Sequence, residues 1–386
     1  MSIQKPAFLA ERLACAYFFV MPALAYGILT SRLPALKTML NADDGAIGFM
    51  LLALGLSTLV GLVACNFLIE RFNARSVTGY AALFLAIAMT IAGIAASYWQ
   101  ITLFCLIAGF GVGLCDVGMN AQGIFLERSR NILCMSFLHA SSSIGGVCGS
   151  LSGSLFAELE LAPFWNFALI LGPYLLIWPL AYFHMPVDKP ARKAGTSRPC
   201  WAPVPMFVCI CGLLSLVCHI AEGSSAEWGS LLLNTVKGAS QEEAALVFAS
   251  FTGAMVICRL GSDALRRHVS DRRLAVLGSL TGSLGMAVAI LSPWPWLCLC
   301  GYAIMGAGLA PIVPILFSRA GSIPDVTPGK ASAVVSVFSY AGLLLFPPFL
   351  GMLGEAYGLT HALWLISILC LLMAAGSQTL RPRRQP

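Results

Sequence analysis

The sequence predicts an all-α polytopic membrane protein with twelve transmembrane helices, in two six-helix bundles related by a pseudo-two-fold axis. Hydrophobic residues fill 58% of the 386 positions and charged residues only 10%, whereas a soluble globular chain carries roughly 25% charged residues. The apolar residues form runs of about 20, which is the helix length that crosses a hydrocarbon core of roughly 30 Å. Because the runs do not alternate apolar with polar residues, the strands of a membrane β-barrel are excluded.

Twelve apolar windows are the predicted spans. The first has no small-residue cleavage site and is followed by eleven others, so we expect it to be a retained span and not a removed signal peptide. The windows cover residues 12–31, 46–69, 77–96, 99–124, 133–156, 164–184, 205–226, 242–262, 274–292, 296–318, 330–350 and 359–379.

The distribution of positive charge predicts the orientation. With the amino terminus inside, 20 of the 23 Lys and Arg residues lie on the cytoplasmic side, and the outer loops hold only Arg32, Lys37 and Lys237. Since basic residues are retained on the cytoplasmic side, both termini are predicted to be cytoplasmic, in the inner membrane of a bacterium or a plasma membrane. The net charge of +6 then reflects topology, and no nucleic-acid partner is expected.

A Pro-rich basic stretch divides the chain into two halves. It predicts an N-terminal bundle over 1–186, a cytoplasmic linker over 187–204 and a C-terminal bundle over 205–386. Similar features recur in both halves at a nearly constant offset, such as the acids Glu70 and Asp263, which are 193 residues apart. Two duplicated halves joined by a basic loop are typical of a carrier with parallel repeats.

The segment after the second window, NFLIERFNAR, resembles a known signature. It is similar to the loop 2-3 motif of the major facilitator superfamily, G-x-x-x-D-R-x-G-R-K, with Glu70 at the acid and Arg71 at the first base. Asn66 and Asn73 replace the two glycines, and Ala74 replaces a base. Together with twelve spans and half-chain repeats, the motif identifies the chain as a member of that superfamily.

Within the superfamily, the fourth and fifth windows resemble the fucose permease group of proton-linked sugar carriers. Those carriers place an acid and, four residues later, an Asn in span 4, which are matched here by Asp116 and Asn120. This chain departs from those carriers at two places: in span 5 it has Ser or His where they have a polar amide residue, and its span 1 has no acid. The resemblance implies proton-linked transport of a sugar-like solute, with fucose itself disfavoured.

Polar residues inside apolar windows are the candidates for binding substrate or protons. A carboxylate within a span is costly, so Asp116 is expected to face a cavity or the bundle interior, with Asn120 one turn away on the same face. Ser215, His219 and Glu222 form one polar stripe on span 7. The remaining candidates are His139 and Ser142 of span 5, and Arg32 at the outer end of span 1, which is either a ligand for an anionic group or a snorkelling cation.

Charged residues at the predicted cytoplasmic helix ends are the candidates for a gate. We expect a latch that holds the outward-open state, because opposite charges at partly buried helix ends attract each other more strongly than exposed pairs. Its members are Glu70, Arg71 and Arg75, with Asp263, Arg266 and Arg267 as the weaker counterpart in the second half.

Several classes of function are disfavoured by what the sequence lacks. There is no phosphate-binding loop, no hydrolase or zinc-protease motif, and no paired carboxylate at one depth, so no catalytic residues, no cofactor and no metal are expected. Thirteen of the 14 cysteines lie in or beside apolar windows, and Cys200 lies in a predicted cytoplasmic loop, so no disulfide framework is expected.

The function predicted from these features is secondary transport by alternating access, with no enzymatic activity. Protonation of Asp116 would neutralise it and allow the loaded carrier to reorient. The expected partners are a small polar solute, protons and the lipid bilayer, and a monomer is expected. An uncoupled facilitator or channel and an efflux antiporter for drugs or metabolites remain alternatives.

Overall fold

The structure is a computed structural model that describes residues 4–42, 44–188, 203–324 and 326–380. This part of the chain contains twelve long helices and no strand. The helices of the first half are α1 Gln4–Met39, α2 Asp44–Phe72, α3 Ala74–Ala92, α4 Tyr98–Arg130, α5 Met135–Glu158 and α6 Pro163–His184. Those of the second half are α7 Met206–Glu227, α8 Gln241–Leu265, α9 Asp271–Leu291, α10 in the two segments Pro295–Leu309 and Ile312–Ala320, α11 Pro328–Tyr357 and α12 Leu359–Gly376.

Eleven of these helices are long and apolar enough to cross a membrane. The exception is α5, in which Ser and Gly residues lower the mean hydropathy. Such small residues are common where transmembrane helices pack closely. The predicted all-α polytopic membrane fold is confirmed. Most of the predicted linker lies outside the described residues, including the basic residues Lys189, Arg192, Lys193 and Arg198.

The described chain forms two compact units. Unit 1 consists of Met1–Cys134, Ser141–Pro203 and Pro324–Ala333, and unit 2 consists of Met135–Ala140, Val204–Ile323 and Val334–Pro386. Each unit therefore includes the first residues of a helix, α5 or α11, whose remainder belongs to the other unit.

The same helix pairs are in contact within both units. In unit 1, α4 packs against α2 and α3, and α1 packs against α6; in unit 2, α10 packs against α8 and α9, and α7 packs against α12. Each of these three contacts of the first half thus has its equivalent six helices later, which agrees with the internal repeat that the sequence predicts.

Glycines allow the closest of these contacts. A Cβ atom at Gly109 or Gly113 of α4 would overlap the main chain of α2, and one at Gly306 of α10 would overlap the main chain of α8 at Phe251. Gly109 and Gly113 therefore make space for a neighbouring helix.

Candidate functional site

Asp116 lies near the middle of α4 in unit 1 and is half-buried. Asn120 is completely buried one turn later. Its Nδ2 donates to the main-chain oxygen of Asp116 at 2.9 Å, and its Oδ1 has no hydrogen-bond partner among the described residues. Asn120 therefore contacts the main chain of Asp116 and keeps one buried acceptor unused.

Arg32, at the predicted outer end of α1, is only 3% exposed. Its Nη1 lies 3.5 Å from the carbonyl oxygen of Gly153, and its Nη2 donates to the carbonyl oxygen of Leu161. The guanidinium therefore joins the end of α1 to the end of α5 within unit 1. This is an internal anchor and not a side chain that reaches into solvent.

The polar stripe of α7 lies in unit 2. Ser215 is fully buried, and its Oγ forms a 2.7 Å hydrogen bond with Oγ of Ser339 on α11. His219 is half-buried, with Nδ1 2.9 Å from the main-chain oxygen of Ser215, and Glu222 is half-buried one turn further on. Ser215 thus belongs to the contact between α7 and α11, whereas the other two polar groups are partly accessible.

The two candidates on α5 fall in different units. His139 belongs to unit 2, where its ring centroid is 5.5 Å from that of Phe317 on α10. Ser142 is half-buried and belongs to unit 1. Gly145 and Gly149 follow, and a Cβ at either would meet the main chain of α1, so these glycines allow α5 to pack closely against α1.

Arg259 of α8 is a buried cation that sequence reasoning did not select as a site residue. It is 6% exposed, and its Nε donates to the carbonyl oxygen of Ala310 at 3.3 Å. In a regular helix this carbonyl would accept from residue 314, but Pro314 has no N–H, so Arg259 supplies a donor. Arg259 also interacts electrostatically with Glu222 and His139.

Asp263, one turn after Arg259, holds the start of α5. Its carboxylate oxygens accept the main-chain N–H groups of Ser136 at 3.2 Å and Phe137 at 2.9 Å. These donors are among the first N–H groups of α5, which have no acceptor within their own helix. Because the N-terminus of a helix carries partial positive charge, the carboxylate is well placed there.

Arg266 connects Asp263 to a wider ion-pair network in unit 2. Its Nη1 is 3.7 Å from Asp263, and its Nε donates to Oδ1 of Asp271 at 2.8 Å. Asp271 also lies 4.0 Å from Arg319 of α10. The third predicted member of this set, Arg267, is exposed.

The equivalent corner of unit 1, between α2 and α3, is built differently. Glu70 is half-buried and Arg71 is exposed, and neither forms an ion pair with another described residue. Arg75 donates through Nε to the carbonyl oxygen of Tyr182 at 3.1 Å, with its guanidinium over the Tyr182 ring. The start of α3 is capped by Asp188, which accepts the N–H groups of residue 74 at 2.7 Å and residue 75 at 3.0 Å.

The turn between α2 and α3 explains one departure from the superfamily signature. Asn73 has φ 100, and its side chain accepts the N–H of Ser76 at 2.7 Å. A positive φ favours Gly and, among other residues, Asn. Asn73 can therefore replace the signature glycine and cap α3 as well.

The described cysteines are all free, and Cys200 lies outside the described residues. Within the same part of the chain, no group of three His, Cys, Asp or Glu residues is arranged to hold a metal ion.

Comparisons with known proteins identify the family. The model of the Major Facilitator Superfamily matches residues 13–325 and 230–386. The membrane protein MosC of Rhizobium meliloti is 28% identical over 370 residues, which is 94% of this chain and 88% of MosC.

Solved transporters share the fold. The proton:xylose symporter XylE aligns with a TM-score of 0.79 at 14% identity, over 96% of this chain and 95% of XylE. FucP in its outward conformation aligns with a TM-score of 0.78 at 14% identity, over 97% of this chain and 99% of FucP. At this identity the likeness concerns the fold alone, and it confirms the resemblance to fucose permease-like carriers and the architecture of twelve helices in two bundles. The chain belongs to the Major Facilitator Superfamily and is a multi-pass membrane transporter, not an enzyme.

Proposed function

We propose that the protein is a proton-coupled secondary carrier that moves a small polar, sugar-like solute by alternating access. The observation that carries this proposal is the half-buried carboxylate of Asp116 near the middle of an apolar helix. An ionisable side chain at membrane depth is costly and marks a proton or substrate pathway. XylE and FucP, whose fold this chain shares, are described as sugar:proton symporters.

Asp116 binds the transported proton in this proposal. The charged carboxylate opposes movement of the site through the apolar midplane, and protonation removes that charge. Asn120 supports the site because its buried Oδ1 is an acceptor for a hydroxyl group of the solute.

Both termini are placed in the cytoplasm, where the positive charge concentrates. In this proposal the carrier works as a monomer, whose two bundles are joined by the basic linker.

The helix-end charges form the latch of this carrier. In unit 2, Asp263 holds the first N–H groups of α5, and these bonds would break when the predicted cytoplasmic ends of the helices separate. The set around Glu70 is its counterpart after α2. We place both on the cytoplasmic side, where they stabilise the outward-open state.

Transport by purified protein in proteoliposomes tests the proposal. Uptake of D-xylose, L-fucose, D-glucose and their sugar acids is measured with the lumen one pH unit more alkaline than the bath, and again without the gradient. One proton per solute would drive about tenfold accumulation, since one pH unit corresponds to about 1.4 kcal/mol. Equal uptake with and without the gradient would contradict coupling and indicate a facilitator.

A further inference from the structure

The buried arginine of α8 requires an explanation beyond packing. Arg259 is 6% exposed within an apolar helix, and its Nε bonds to the carbonyl of Ala310. A neutral donor such as Gln would satisfy that carbonyl without burying a permanent charge. Charged side chains within transmembrane helices commonly mark ligand pathways.

The hydrogen bonds of Asp263 place a histidine beside this arginine. Asp263 lies four residues after Arg259 on the same face of α8, and it binds the N–H groups at the start of α5. His139 follows those donors by one turn of α5 or less. The helix contact therefore brings His139 alongside Arg259, which agrees with the electrostatic interaction between them.

Helix α7 completes the surroundings of the arginine. Glu222 interacts electrostatically with Arg259, and His219 interacts with His139. Cys218 is the other titratable neighbour on this helix. Basic groups on three helices of unit 2 thus interact with one another, Arg259 also interacts with Glu222, and only Arg259 among the basic groups carries a permanent charge.

We propose that Arg259, with His139 beside it, binds a carboxylate group of the transported solute. The inference rests on the proposed carrier function and specifies its substrate class as a monoanionic acid, such as a sugar acid. A guanidinium presents a planar fork of N–H donors that matches a carboxylate. A phosphate carries up to two charges and would require further permanent cations, whereas the cluster contains Glu222 in addition to a single arginine. Glu222 competes with the solute for Arg259.

The test compares acids with neutral analogues in proteoliposomes. Labelled D-glucuronate, D-galacturonate and D-gluconate are compared with D-glucose, D-xylose and L-fucose, and D-glucuronamide serves as a neutral competitor of nearly the same shape. We expect gradient-driven uptake of one or more acids, with no competition from the amide. Gradient-driven uptake of neutral sugars that excludes the acids would overturn the inference and leave the carrier function standing. Uptake of acids that ignores the gradient would support the inference and contradict proton coupling, and uptake of none of the six would contradict both.

Two substitutions at position 259 separate recognition from folding. Arg259→Gln keeps an N–H donor for the Ala310 carbonyl, and Arg259→Lys keeps the charge but loses the fork. We expect KM for the transported acid to rise about 10- to 100-fold in the Lys variant and saturable uptake to disappear in the Gln variant. If the Gln variant fails to fold, as judged by its size-exclusion profile, the Lys variant decides the test. Arg272→Gln, which removes an exposed arginine of α9, is the matched control and should keep the wild-type KM.

Glu222→Gln is expected to change KM for the acid in the opposite direction from the Arg259 variants. Loss of the competing carboxylate should lower KM for the acid by about two- to fivefold, the range for a partly screened charge. A wild-type KM in the Arg259→Lys variant, or a raised KM in the Glu222→Gln variant, would show that the carboxylate binds elsewhere.

Discussion

The groups proposed to bind the proton and the solute have charges of opposite sign and lie on helices that occupy different places in the repeat. In unit 1, α4 carries the half-buried acid Asp116, whereas in unit 2, α8 carries the buried cation Arg259. The main helix pairs in contact are equivalent in both units, so the duplicated framework is retained while the polar residues on it differ. We infer a division of roles in which unit 1 carries the titratable group for the proton and unit 2 carries the permanent charge for the solute.

The corners between helices differ in a second way. The corner after α2 matches the superfamily signature better, yet Glu70 and Arg71 form no ion pair within the described chain. The corner after α8 matches it less well, yet Asp263 and Arg266 are buried and take part in a network with Asp271. Similarity to the motif therefore does not predict how strong the ion pairs at a corner are, because burial and partners on other helices determine their strength.

The largest expected effect is that of Asp116→Asn. Removing the titratable carboxyl should abolish the roughly tenfold accumulation driven by one pH unit, while exchange of labelled for unlabelled solute continues because no charge has to cross the midplane. Glu355→Gln, which neutralises an exposed acid at the end of α11, is the matched control and should leave accumulation unchanged. Gradient-driven uptake at the wild-type level in Asp116→Asn would show that Asp116 does not bind the transported proton.

Water access along α7 tests whether the polar cluster of unit 2 lies on the transport path. In a background without native thiols, cysteines at 219 and 222 should react faster with a small water-soluble reagent than cysteines at Leu213, Leu216 or Ile220. Leu213 is the informative control because it is 50% exposed on the apolar surface, where water is scarce. A cysteine at 215 should also react slowly, since Ser215 is buried against Ser339. Equal labelling at polar and apolar positions would reject the proposed roles of His219 and Glu222.

A smaller effect is expected at the latch of unit 2. Asp263→Asn removes the charge that binds two N–H groups of α5 and the ion pair with Arg266. We expect a loss of about 1–2 kcal/mol, as for a lost helix cap, seen as a Tm lower by about 2–6 °C. Spectroscopic distances at the predicted cytoplasmic ends should shift toward the separated state. An unchanged Tm together with unchanged distances would reject the latch.

The smallest effect is expected at Glu70, the acid of the superfamily motif after α2. Glu70→Gln should shift the same distances in the same direction, but by less than Asp263→Asn, with a change in stability below about 0.5 kcal/mol as is usual for half-exposed charges. The comparison of the two corners fails if Glu70→Gln produces the larger shift. The absence of any shift would exclude Glu70 from the latch.

The sequence was sufficient to predict the twelve helices because each must present about 20 apolar residues to lipid. Helix ends were less predictable: the window at 12–31 corresponds to α1 Gln4–Met39, which continues well beyond the apolar run. The break in α10 before Ile312 was also missed, although Pro311 and Pro314 signal it by their missing N–H groups.

The candidate site was predictable only in part. Asp116 was selected because an isolated acid in an apolar run is conspicuous, and its role in binding stays a prediction. Arg259 was missed because Arg266 and Arg267 follow it closely and made it resemble a residue of the loop. Its interior position depends on where α8 ends and on the carbonyl of Ala310, which are properties of packing that one sequence does not contain. The cap formed by Asp188 on α3 is another contact of this kind.

Direct measurement of proton movement tests proton-coupled transport most simply. Proteoliposomes loaded with a pH-sensitive dye, at equal pH inside and outside, receive a concentration gradient of the transported solute. A symporter carries protons inward with the solute, so the lumen should acidify in the wild-type protein and should not acidify in Asp116→Asn. Solute entry without acidification in the wild-type protein would contradict the account.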